Sequence, residues 1–175
     1  MDEFVFIKPD RSYAEEVKAF RREFIEAGSS MDGCGELRKS ENFEEYMRSC
    51  EAHTRRETLP EGRSLSQQLW YVRKSDGALV GMLSIRLELI GYLKEFGGNI
   101  GYSVRPKFRR QGHAKRMLAM ALPICRELGL ERLLITCLED NIGSEKTIRA
   151  NGGAYESTVC DANKNVRLKR FWIEL

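Results

Sequence analysis

The residues of this chain whose types and spacing most directly suggest chemistry are Arg109-Arg110-Gln111-Gly112-His113-Ala114. Asn99 to Val104 reads as a short strand before them, stopped at Arg105-Pro106 because proline cannot donate to a sheet ladder. After Ala114, apolar residues at Met117, Leu118, Ala121, Leu122, Cys125 and Leu128 trace the stripe of an amphipathic helix. A basic, glycine-containing loop therefore joins a strand end to a helix start. The first N–H groups of a helix have no intrahelical acceptor, and where no bulky side chain covers them they suit phosphate oxygens. Gly112 and Ala114 let the backbone approach closely, while Arg109, Arg110 and Lys115 add positive charge. Gln111 and His113 contribute chiefly backbone amides. The expected ligand is a pyrophosphate, and the alternative is a basic surface turn opening an ordinary helix. Neither the Gly-Lys-Ser/Thr of a P-loop nor a Gly-x-Gly-x-x-Gly turn is present.

Other residues invite a chemical reading beside a plainer one. Asn141 opens a helix after a buried strand, as a ligand contact or as an N-cap, and Ser144 follows one turn on. Tyr102 is a strand aromatic or a proton relay. Glu88 and Arg86 alternate with Leu87 and Leu89 on the polar side of a strand, as base and substrate anchor or as a solvated sheet face. Tyr155 is a further candidate proton donor from a later strand. Cys137 has no histidine nearby in sequence to activate it and reads as a small core residue.

The elements that must position these residues can be read in order. Residues 4–7 form a first strand, and Ser12 with Glu15 suggests a capping box. The helix that follows carries Tyr13, Val17, Phe20 and Phe24 and stops near Gly28. Residues 28–40 form a flexible loop containing Met31-Asp32-Gly33. Phe43, Tyr46, Met47 and Cys50 mark a second helix, capped by Ser40 or Asn42. A polar stretch from His53 to Gln68 reads as loop. A hairpin follows, its two strands joined at Asp76-Gly77. A connection through Tyr92, Lys94 and Glu95 to Gly97-Gly98 leads to the strand before the basic loop. Pro123 should kink or interrupt the long helix. Gly129 ends that helix, residues 132–138 form a buried strand, and a short helix runs to Asn151-Gly152-Gly153. A closing hairpin turns at residues 161–165. The order β-α-α-β-β-β-α-β-α-β-β implies a single α/β domain over residues 1–175, built on one central mixed sheet flanked by helices. The strands on either side of the long helix should be parallel neighbours.

The totals agree with one globular domain: 175 residues, 42% hydrophobic and 31% charged. A net charge of +3 suits an anionic small ligand and is too small to argue for nucleic acid. The small basic clusters Arg55-Arg56 and Lys169-Arg170 do not alternate with aromatics, so no nucleic-acid partner is expected. No signal peptide or membrane-length apolar run is recognisable, so no membrane partner is expected. Five cysteines without a Cys-x-x-Cys pair suggest reduced thiols and a cytoplasmic location. The two histidines, His53 and His113, have no zinc-like spacing, and no metal site is expected.

Two motifs in this order carry a family resemblance. Ile100-Gly-Tyr-Ser-Val-Arg-Pro-Lys-Phe-Arg-Arg-Gln-Gly-His-Ala114 resembles the strand, bend and pyrophosphate loop of the GNAT acetyltransferases, whose Arg/Gln-x-x-Gly-x-Gly/Ala signature falls on Arg109, Gly112 and Ala114. Asn141-Ile-Gly-Ser144, a short helix and Asn151-Gly152-Gly153 resemble that family's last motif, with Gly153 in place of an aromatic. The element order resembles the GNAT fold over nearly the whole chain, and the Met-Asp-Gly loop is similar to that of a bacterial branch of the family. The resemblance implies acetyl-CoA as co-substrate and a primary amine, small molecule or peptide N-terminus, as acceptor; it leaves a homodimer open. It implies that the strand of Tyr102, Ser103 and Val104 parts from the strand of Thr136 and Cys137 to admit the thioester arm. Backbone N–H groups near Ser103 and Val104 would then face the acetyl carbonyl, and Asn141 and Ser144 would touch the pantetheine arm or the adenosine side. Two departures matter: Ile148 stands where the family often has a proton-donating tyrosine, and Thr136 where relatives have a glutamate base. The alternative function is a catalytically reduced acyl-CoA-binding sensor.

Overall fold

The computed structural model describes residues 2–175. Its strands are β1 (Phe4–Ile7), β2 (Ser66–Arg73), β3 (Leu79–Arg86), β4 (Ile100–Val104), β5 (Arg132–Leu138), β6 (Ala154–Asp161) and β7 (Val166–Glu174). The helices are α1 (Ala14–Glu26), α2 (Phe43–Ala52), α3 (His113–Glu127) and α4 (Ile142–Arg149). The element order is that read from the sequence, and the fold is a mixed α/β single domain.

The sheet is divided in two. One antiparallel ladder runs β1-β2-β3-β4 and a second runs β5-β7-β6. The expectation of one continuous mixed sheet is corrected here, because β4 and β5 share no ladder. They touch at one end, where Asn99 donates its N–H to the Leu134 carbonyl at 2.7 Å and accepts the Leu134 N–H on Oδ1 at 2.8 Å. The Asn99 amide nitrogen also donates to the Arg86 carbonyl at 3.0 Å. One buried side chain thus ties β3, β4 and β5 together at the closed end of a cleft.

Two apolar cores lie on opposite faces of the first ladder. On one face, Leu69, Tyr71, Leu83 and Ile85 meet Met117, Leu118 and Ala121 of α3 and Leu133, Ile135 and Phe171 of the second ladder. On the other, Trp70, Val72 and Met82 meet Val17, Phe20 and Phe24 of α1 and Tyr46 and Met47 of α2. With both faces covered, β2 and β3 are buried on both. The row of β3 expected to be solvated is instead roofed by residues 28–40, and Ser84 is buried there. Gln68 reaches up from the sheet to donate to the Gly33 carbonyl at 2.9 Å.

Local details follow from hydrogen-bond competition. Asp10 accepts both the N–H and the hydroxyl of Ser12, so the expected Ser12–Glu15 capping box does not form and Asp10 caps a 3₁₀ turn leading into α1. Asn42 caps α2 by accepting the Glu45 N–H at 2.9 Å. α3 runs through Pro123 without interruption. Arg105, which ends β4 as expected, is 3% exposed and donates to both Glu23 carboxylate oxygens and to Glu16, fastening the strand end to α1. The connection before β4 contains a π-helical turn at Leu93–Gly97, which composition did not announce.

Candidate functional site

The basic loop reaches α3 through two left-handed residues, Arg110 at φ 61° and Gly112 at φ 81°. A Cβ on Gly112 would meet nothing within 4 Å, so the ground above this residue is open. Arg116 donates to the Gly112 carbonyl. Among the described residues, no acceptor is found for the N–H groups of Arg110, Gln111, Gly112, His113, Ala114 or Lys115. Six successive free donors at a helix start, with left-handed residues among them, make a nest for an oxyanion.

The side chains divide unequally. Arg110, Gln111 and Lys115 are exposed at the rim. Arg109 turns back, donating to the Val104 carbonyl at 3.0 Å and the Ser29 hydroxyl at 3.1 Å, with its guanidinium 5.1 Å from the Phe24 ring centre. His113 is buried edge-on against Phe4, Tyr71 and Phe108. Only its N–H belongs to the nest. Burial, with Arg116 and Arg73 nearby, holds the His113 imidazole below its ordinary pKa.

The gap between β4 and β5 opens beside this nest. Along β4, the Arg86 N–H bonds to the Asn99 carbonyl and the Arg105 N–H to the Val80 carbonyl. The register between them puts the backbone groups of residues 101, 103 and 105, together with the carbonyl of Asn99, towards β3. The N–H groups of Tyr102 and Val104 therefore face the gap. Ser103 does not share that role, since its N–H lies on the β3 side and its hydroxyl donates to the Asp32 carbonyl at 2.7 Å. Tyr102 crosses the gap, its hydroxyl 2.8 Å from the Ser144 hydroxyl on α4. Burial pushes the Tyr102 phenol up to about 12, while the Ser144 contact acts the other way. Asn141 serves as the N-cap of α4, accepting the Ser144 N–H at 3.0 Å. Leu138 and Ile142, 41% and 55% exposed, flank the same edge.

Other candidates lie elsewhere. Glu88 falls beyond the end of β3, not on the strand, and its carboxylate is ion-paired with Arg56. Tyr155 bonds to Thr158 of its own strand. Cys137 is 5% exposed, and burial raises its thiol to about 11, which suits a core residue better than a nucleophile. Thr136 donates to the Phe96 carbonyl at 2.6 Å, holding the π-helical turn. Ile148 is fully buried, and a Cβ on Gly153 would lie 2.3 Å from its Cγ2. Ile148 and Gly153, both departures from the family pattern, are thus in contact: this isoleucine leaves room for glycine alone. Among the described residues there is no cluster of three His, Cys, Asp or Glu side chains able to hold a metal, and no helix is long and apolar enough to cross a membrane.

Sequence reasoning passed over Asn99 and Gly33. The adjacent glycines Gly97-Gly98 and the Met31-Asp32-Gly33 turn were the available signals, but nothing local says which strand they will meet.

Residues 32–152 match the profile of the Acetyltransferase (GNAT) family. The chain belongs to that family. It is an acyltransferase of the GNAT type. No curated protein is close enough in sequence to count as a relative. The fold is similar to that of a microcin C7 self-immunity acetyltransferase in complex with acetyl-CoA and AMP, at 18% identity and a TM-score of 0.71, covering 100% of this chain and 94% of that one. It is similar to a RimL ribosomal L7/L12 α-N-protein acetyltransferase in complex with coenzyme A, at 16% identity and a TM-score of 0.72, covering 98% and 94%. It also resembles the Salmonella typhimurium acetyltransferase that modifies the N-terminal serine of L7/L12, at 14% identity and a TM-score of 0.71, covering 98% and 95%.

Proposed function

We propose that this GNAT protein moves an acetyl group from acetyl-CoA to a primary amine by direct attack of the amine on the thioester. The observation that carries the reading is the run of six free N–H groups from Arg110 to Lys115, continuous with a gap lined by the Tyr102 and Val104 N–H groups. The nest holds the pyrophosphate, and exposed Arg110 and Lys115 add charge at its rim. The Tyr102 and Val104 N–H groups are fixed donors for the amide and thioester carbonyls of the arm lying in the gap. Donors held ready for a developing oxyanion lower the barrier, and holding thioester and amine in contact supplies much of the rest.

As the C–N bond forms and the C–S bond breaks, Tyr102 gives its phenolic proton to the departing thiolate and recovers one through Ser144. This assigns to β4 the role that Ile148 cannot fill from α4. Glu88 enters as base only if Arg56 releases it; otherwise the proton lost by the amine goes to water. The microcin and RimL proteins, solved with acetyl-CoA and coenzyme A, support the donor assigned here.

The test is binding followed by turnover. At a concentration about 100 times its Kd, acetyl-CoA adds roughly 2.7 kcal/mol of stability by mass action, read as a raised Tm. Adenosine should add far less. Gly112→Trp should abolish the acetyl-CoA shift, because the indole fills the open ground over the nest. A normal shift in that variant rejects the cradle. Binding without thiol release on any amine makes the protein a sensor instead.

A further inference from the structure

Arg109 precedes the nest in sequence, yet its side chain turns away from it. Nε donates to the Val104 carbonyl at 3.0 Å and Nη1 to the Ser29 hydroxyl at 3.1 Å, and the guanidinium lies 5.1 Å from the Phe24 ring centre. Two bonds and a ring fix the plane of the group. Only Nη2 has no acceptor among the described residues. The positive charge at the rim of the nest is supplied by the exposed Arg110 and Lys115.

The carbonyl that Nε occupies belongs to the gap. Val104 stands opposite Gly81 of β3, and the backbone groups of Ser103 and Arg105 on either side of it turn towards β3. The N–H and carbonyl of Val104 therefore both face away from β3. The N–H of Arg105, in the same peptide as that carbonyl, bonds to the Val80 carbonyl at 2.9 Å. One peptide is thus held from two sides, by β3 through its N–H and by Arg109 through its oxygen. Without a donor, a carbonyl in this position takes its hydrogen bond from water. That water would stand where the thioester arm has to lie.

The position of the donor along the side chain separates two roles. Arginine Nε follows Cδ directly, as glutamine Nε2 does, whereas lysine has a methylene there and its ammonium one atom further out. Glutamine therefore keeps a donor for the Val104 carbonyl and gives up the charge. Lysine keeps the charge and gives up the donor at that place.

We infer that Arg109 is a positioning residue for the thioester arm and not a ligand of the pyrophosphate. Its Nε occupies the Val104 carbonyl, keeps water from that end of the gap and steadies the strand end whose Val104 N–H meets the arm. Phe24 of α1 and Ser29 just beyond it hold the guanidinium in place, so the chain after α1 takes part in seating the donor. The inference rests on the acetyl-CoA reading and deepens it at one residue.

The experiment is titration calorimetry on the intact protein with ADP, which carries the pyrophosphate without the arm, and with CoA and acetyl-CoA, which carry both. Arg109→Met should raise the Kd of CoA and acetyl-CoA about five- to tenfold, the worth of one lost hydrogen bond. The Kd of ADP should change by less than about twofold, as for an exposed charge. Arg109→Gln should bind all three nearly as the wild type does, and Arg109→Lys should behave like Arg109→Met. Ser29→Ala, which leaves the nest untouched, should show a smaller loss with the same preference for the arm. A residue that only packs would lower Tm without separating CoA from ADP. Equal losses for ADP and CoA in Arg109→Met would put Nη2 on the pyrophosphate and overturn the inference. So would a lysine variant that binds CoA better than the glutamine variant, or a methionine variant that binds CoA as the wild type does. A wild type that binds neither ADP nor CoA would instead remove the reading beneath it.

Discussion

Tyr102 joins two demands that pull against each other. Its hydroxyl must be dry enough to stay protonated, and it must reach the gap. The contact with Ser144 at 2.8 Å meets the second, and burial, which raises the phenol to about 12, meets the first. A phenol held so high stays protonated at neutral pH, so the proton is in place when the C–S bond breaks. Tyr102→Phe keeps the ring and removes the hydroxyl. It should lower kcat by roughly 10²–10⁴-fold, the usual worth of a positioned acid, with little change in acetyl-CoA affinity. Steady-state kinetics beside a direct binding measurement decides it: an unchanged kcat returns Tyr102 to a packing role.

At the scale of elements, the decisive contact is the crossing of the 28–40 loop over β4. Gly33 sits at φ 73°, and a Cβ there would lie 2.0 Å from the Gly101 carbonyl oxygen. Gly28 has φ 60° but nothing within 4 Å of its would-be Cβ. Both glycines resist substitution for backbone reasons, worth about 1–2 kcal/mol per residue; only Gly33 adds a collision with backbone. Gly28→Ala should therefore cost that conformational amount, and Gly33→Ala clearly more, in urea unfolding. Equal stability losses in the two variants would show that the loop does not rest on β4 as described.

The whole molecule is two ladders held at one end by Asn99 and kept apart at the other, with α3 packed across both. His113 stands where α3 meets β1 and β2, and its buried ring gives the assembly a pH dependence. Its pKa in the folded protein is depressed, so between that value and the ordinary one of about 6.5 the unfolded chain binds more protons and stability rises with pH. The contribution is complete above the ordinary value and is lost as pH falls through the depressed one. Urea unfolding at about pH 7.5 and about pH 5.5 should show the wild type losing stability on acidification. His113→Phe, which keeps a ring of similar bulk, should lose less over the same interval. An equal loss in the variant would assign the dependence to other groups.

Local signals in the sequence determined the parts of this protein whose causes are local. The φ requirement of Gly112, the proline ending β4, the apolar stripe of α3 and the Asn141 cap all depend on neighbours within a few residues, and so the nest and its helix were legible. The order of elements was legible for the same reason. Only the tertiary structure decided what depends on partners distant in the chain. It parted β4 from β5 by giving the ladder bonds of Leu134 to Asn99, thirty-five residues away. It moved Ser103 out of the gap through strand register, and it drew Arg109 back to Val104 and Ser29. It roofed the polar row of β3 with residues 28–40, so that Arg86, which alternation alone places in solvent, became a half-buried guanidinium beside Gly33 and Gly101. Periodicity reports which face of a strand is polar; whether water or another loop covers that face is settled by packing.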